Sequence, residues 1–118
     1  MQAPDTQKIL DDMTKKRQFL SVKNQELIEL ATKKAEAERD YKIAYARECM
    51  NLKLEKESIT LIPNLAKGDA VVAELCYKAD IADAVYRACG EKIKDIRLSI
   101  DVDRTELSFL KAELLRAD

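Results

Sequence analysis

The sequence predicts an all-α protein: a long antiparallel helical hairpin, coiled-coil-like, assembled into a dimer or larger helical bundle. Three observations carry that expectation. From Val72 to Ala117, apolar residues recur three and four apart, with Val72, Ala79, Tyr86, Ile93, Ile100, Leu107 and Leu114 alternating with Leu75, Ala82, Cys89, Ile96, Leu110 and Ala117. A strand, whose period is two, cannot produce such spacing. The composition is 36% charged and 5% aromatic, with two glycines and two prolines, which suits long helices better than an average globular core. The only clear break in the chain is Ser58–Asp69.

A chain of 118 residues supports one domain, read here as a helix over about 5–57, a connector over about 58–69 and a helix over about 70–116. Met1–Pro4 is expected to fray, with Asp5 or Thr6 capping the first helix and Asp11 and Asp12 favouring the positive end of its dipole. Its apolar residues include Ile9, Met13, Leu20, Leu27, Ala31, Tyr41, Tyr45 and Leu52. Asn24, Lys34, Glu38 and Glu48 interrupt the heptad, and a local kink or fray is expected around Thr32–Asp40, where only alanines are apolar.

In the connector, Ile59–Ile62 is β-branched and apolar, and Ile62 precedes Pro63, which disfavours helical backbone there. Pro63–Lys67 is expected to form one helical turn. Gly68 is read as a left-handed C-cap and Asp69 as the N-cap of the second helix. Leu61, Ile62 and Leu65 would fold over the end of the helix pair as a plug. A turn centred near Leu65 sets Tyr45 near Tyr86, Leu52 near Ala79, Leu20 near Lys111, and Gly90 beside Tyr41, where a missing side chain would admit the ring or merely let the helix bend. Asp103 breaks the second helix's apolar seam. A solvated edge is the favoured reading for it, and a register-fixing contact with Asn24 or Lys23 is the alternative.

Leu98, Val102, Phe109 and Ala112 sit outside the seam, on roughly its opposite face, with Leu115 nearby. Either the N-terminal half of the first helix (or a bend) covers them, or they form a second interface for self-association or a partner helix. The interface is the favoured reading, because a hairpin needs a further layer to build a core.

The sequence carries no histidine, which removes the commonest general base and the Ser-His and Cys-His nucleophile pairs. Cys49, Cys76 and Cys89 are too widely spaced for a zinc site and odd in number for a disulfide framework. Cys76 and Cys89 read as small buried hydrophobes. Two isolated glycines cannot cradle a phosphate. The acidic pairs Asp80 with Asp83 and Glu36 with Asp40 share a helix face, but solvated surface explains them better than a cation site. The expectation is a protein that is not an enzyme and needs no cofactor or metal.

Twenty-one basic and 22 acidic residues give a net charge of −1, so no global field favours nucleic acid or an anionic membrane. Lys15, Lys16, Arg17, Lys33 and Lys34 are the candidate phosphate contacts of an alternative, DNA-binding reading. Interleaved acids make a mixed-charge solvated face the simpler account of them. No apolar run approaches the roughly 20 residues that span a bilayer, and no signal-like segment opens the chain, so a cytoplasmic protein is expected.

The connector LIPNLAKGDAVVAEL (Leu61–Leu75), followed by Tyr77–Asp80 and Ala84–Ala88, resembles small helical proteins of phages and prophages of Gram-positive bacteria. The resemblance brings no catalytic motif to transfer and implies only a phage origin and a host-cytoplasm location. With it, the expected function is a non-enzymatic protein–protein interaction module that modulates or scaffolds a host or phage protein through a helical face. A DNA-associated accessory factor in phage replication or recombination, or a virion assembly component, is the alternative.

Overall fold

No proline or glycine interrupts residues 5–57, and good helix formers dominate them, so the backbone forms a single helix, α1 (Gln2–Leu54). The computed structural model describes residues 2–117, with side-chain surroundings for residues 6–116. Two further helices follow, α2 (Ile62–Gly68) and α3 (Ala70–Ala117), and the described residues contain no strand. The chain is thus all-helical, and it divides into two compact units: Met1–Leu27 with Ala88–Asp118, and Ile28–Arg87.

The start of α1 differs from the sequence expectation. The helix begins at Gln2, so Pro4 lies in its first turn, where a missing N–H forfeits no helical hydrogen bond. Asp5 and Thr6 are consequently helical positions rather than caps; Met1 lies outside the described residues. Nor does α1 break at Thr32–Asp40. The alanines there are the strongest helix formers, and Lys34 ties itself to Glu38 one turn on, at 3.6 Å.

In the first unit, α1 and α3 lie antiparallel. Met13 packs with Ile96 and Ile100, and Ile9, Leu20 and Leu107 close over that cluster. Cys89 and Ile93 are buried as well, the Cys89 thiol facing the Lys23 carbonyl at 3.7 Å. Asp103 is neither at a solvated edge nor near Asn24. It is buried within the seam, and its carboxylate accepts a hydrogen bond from Lys16 Nζ at 2.8 Å.

The second unit is by itself a helical hairpin. Helix α1 stops after Leu54 through a Schellman motif. Glu57 N donates to Leu52 O at 3.1 Å and Lys56 N to Lys53 O at 3.0 Å, with Lys56 at φ 65° in the left-handed region. The left-handed cap therefore falls on a lysine. Gly68 does not have positive φ and simply ends α2. Asp69 is extended (φ −62°, ψ 135°), and its carboxylate accepts from Val71 N and Val72 N at 3.1 and 3.2 Å, the expected N-cap of α3.

Because the reversal is complete before α2 begins, α2 already lies on the return path. Ile62 is its first residue, despite preceding Pro63, and packs with Leu52 and the fully buried Ala66; Tyr45 and Cys49 close the cluster. The plug therefore consists of Ile62 and Ala66, while Leu61 and Leu65 stay exposed. The register moves with the turn. Lys34, not Tyr45, stands by Tyr86, with its ammonium 5.3 Å from the ring centre. Leu52 meets Ile62 and Ala66 rather than Ala79, and Leu20 meets the Ile96–Ile100 cluster rather than Lys111. Tyr41 has Tyr45 as its ring neighbour, at 6.1 Å, and a methyl built on Gly90 meets no atom within 4 Å, so no ring occupies that space.

Candidate functional site

The seam predicted for α3 is inside: every one of its positions from Val72 to Leu110 is buried or half-buried. That fixes which residues flank it. Leu98, Val102 and Phe109 are 64, 56 and 67% exposed, and Ala112 and Leu115 are exposed too. The N-terminal part of α1 belongs to the same unit and leaves these residues uncovered.

Helix α1 adds to this surface in a way the sequence reading missed. Its half-buried and buried positions Ile9, Met13, Lys16, Leu20, Lys23 and Leu27 alternate four and three apart, which makes them its seam. About that seam, Phe19 and Val22 fall on the same flank of the helix pair as Val102 and Phe109. Phe19 is 45% and Val22 63% exposed. The Lys23 ammonium stands 5.4 Å over the Phe19 ring and 3.0 Å from Glu26. On this flank Ile9, Glu106, Phe109 and Leu110 line a shallow groove. The available signal was the offset of Phe19 and Val22 from a seam that Lys16 and Lys23 disguise with polar residues.

The other flank is basic. Arg97, Arg104 and Lys111 recur every seven residues along one side of the α3 seam, and Arg17 of α1 lines a groove with Arg97, Arg104, Leu20, Ile100 and Asp101. Asp101 is engaged by Arg104 at 3.4 Å.

The five candidate phosphate contacts do not come together as one patch. Lys16 is held by Asp103, and Lys34 by Asp83 at 3.5 Å and Glu38. Lys15, Arg17 and Lys33 are exposed, but Lys15 and Arg17 are separated by about 200° around α1 and project to different sides. Lys33 belongs to the second unit.

In that second unit, Asp83 also receives Arg87 at 3.0 Å, so it serves two cations of the protein itself. Asp40 is taken by Arg39 at 3.1 Å. Among the described residues, no cluster of three His, Cys, Asp or Glu side chains could hold a metal. All three cysteines are free thiols; Cys89 is buried, but Cys76 is only half-buried, less than a core position would give. The Tyr41 hydroxyl has its pKa raised, first by desolvation and then by the neighbouring Cys76 thiol, Tyr45 and Asp80. That of Tyr45 is raised by its hydrogen bond with Cys49 and then by desolvation.

Among the described residues, no helix is long and apolar enough to cross a membrane. Compared with family models, with curated proteins and with solved structures, the chain matches none.

Proposed function

We propose that the chain is a non-enzymatic protein–protein interaction module, phage-like and working in a host cytoplasm, which scaffolds or modulates its partner through a helical face of the first unit. One observation carries the reading: Leu98, Val102 and Phe109 stand 64, 56 and 67% exposed in a row on α3, and Phe19 and Val22 of α1 widen that row into a face. Large apolar side chains grouped on a helix pair mark a docking surface more often than a solvated one. The phage character rests only on the resemblance carried by Leu61–Leu75, Tyr77–Asp80 and Ala84–Ala88.

A photo-crosslinking amino acid placed at Val102 in the expressing cell tests the reading, with the same group at Lys94 as control. Discrete protein adducts from Val102 and none from Lys94 are expected. Equal, diffuse labelling from both positions would sink it.

The second reading, a DNA-associated accessory factor, now leans on the groove of Arg17, Arg97 and Arg104, since carboxylates already hold Lys16 and Lys34. It requires DNA binding that weakens steeply with added salt and disappears in an Arg17→Gln, Arg97→Gln variant.

A further inference from the structure

We infer that the occupant of the Phe19–Phe109 face is a second copy of this chain; the inference rests on the interaction-module reading and names its partner. The first support is area. The chain exposes 8867 Å², whereas a folded monomer of 13.4 kDa ordinarily exposes about 6500 Å². The excess, about 2400 Å² per chain, is what each partner contributes to the larger obligate homodimer interfaces. A single short peptide or helix end would cover only a fraction of it.

The second support is where the uncovered apolar surface lies. In the first unit Phe19, Val22, Val102 and Phe109 gather on one flank of the seam, while Leu10, Leu98, Leu114 and Leu115 are exposed at scattered positions off that flank. The second unit, taken by itself, has Ile43, Val71, Ile81 and Val85 exposed at 44, 65, 47 and 45%, on the corresponding heptad positions of the same two helices. Each unit thus carries an apolar face of the same make. A second copy supplies two such faces, which a partner with one docking helix does not.

Charge decides between the two flanks of the first unit. A copy docked on the arginine groove would set Arg17, Arg97 and Arg104 against their own kind, with Asp101 already engaged by Arg104. The apolar flank instead mixes signs, with Lys92 among Glu26, Asp95 and Glu106. In a two-fold interface each patch meets itself, so a patch of mixed sign is its own complement and one of single sign is not.

Light scattering after size exclusion, in reducing buffer over a hundredfold range of concentration, tests the inference on the full chain. Three proteins are compared: wild type, the face variant Phe19→Ser, Val102→Ser, Phe109→Ser, and the flank variant Arg17→Gln, Arg97→Gln. Wild type and flank variant are expected at the mass of two chains, and the face variant at one, with unchanged helicity by circular dichroism. Should the triple variant lose helicity, Val102→Lys alone takes its place and is expected at one chain. A monomeric wild type across the range overturns the second copy; the module reading then stands or falls separately on the adducts formed from Val102. A dimer that survives both face substitutions overturns the assignment of this face to the second copy.

Discussion

Lys16 of α1 and Asp103 of α3 meet at 2.8 Å across the helix pair of the first unit, with only 11% of the aspartate side chain left exposed. An aspartate in an apolar seam is costly unless a partner arrives with it, and only one alignment of the two helices brings Lys16 there. The pair is a device for register more than for stability. It does in this seam what a buried asparagine does in a parallel coiled coil.

Removing one partner should therefore hurt more than removing both. Lys16→Met is expected to destabilise by about 1–3 kcal/mol, because it strands a buried carboxylate. The double variant Lys16→Met, Asp103→Leu should return to within about 1 kcal/mol of wild type, since two apolar groups then fill the seam. Urea midpoints at one fixed protein concentration measure both. Equal losses in the single and double variants would show that the ion pair contributes nothing beyond packing.

Lys56 offers a test of opposite sign. It holds φ 65°, a conformation that costs a residue bearing a Cβ roughly 1 kcal/mol and glycine almost nothing. Lys56→Gly is expected to stabilise the protein by about 0.5–1 kcal/mol, and Lys56→Val to destabilise it by more than that. A loss of stability in the glycine variant would mean that the Schellman turn is not the resting end of α1.

The same lysine explains how much of the fold could be read from the sequence and where reading stopped. The α3 seam was legible because three- and four-residue spacing survives from Val72 to Leu110 with a single polar member, and all of those positions are buried or half-buried. The Asp69 cap was legible because an aspartate followed by an apolar run has one common use. The register was not. The turn chemistry sits on Lys56, which no propensity marks as a helix stop, whereas Gly68 advertises one. The connector's sequence centres the reversal near Leu65, but Lys16–Asp103 and Lys34–Asp83 are each centred near Ile59. Every facing pair moved with it. The candidate face was half legible: Leu98, Val102 and Phe109 stood out against a regular seam, while Phe19 and Val22 hid because Lys16 and Lys23 occupy seam positions of α1.

Gly90 is the clearest place to improve on the natural chain. It lies within α3, half-buried, and a methyl built there touches nothing within 4 Å. Glycine in a helix interior costs about 0.5–1 kcal/mol relative to alanine through backbone entropy. Gly90→Ala should recover that amount as a higher urea midpoint with unchanged slope. A destabilised variant would show that close packing at Gly90, in an assembly of chains, is the reason for the glycine.

Alkaline pH gives the last prediction, from the two tyrosines of the second unit. Burial and the Cys76 thiol raise the Tyr41 pKa, and the Cys49 hydrogen bond and burial raise that of Tyr45. A group whose pKa is raised on folding holds its proton more tightly in the native state. Between the unfolded value near 10 and the raised native value, the unfolded chain binds fewer protons, so stability falls as pH rises. Their contribution is fully present below pH about 10 and is lost progressively above it. Urea midpoints measured from pH 8 upward should fall more steeply for wild type than for Tyr41→Phe, Tyr45→Phe, which has no phenol to ionise at either site. Identical slopes would show that neither hydroxyl holds its proton more tightly on folding, and that the Tyr41–Cys76 and Tyr45–Cys49 contacts do not persist in solution.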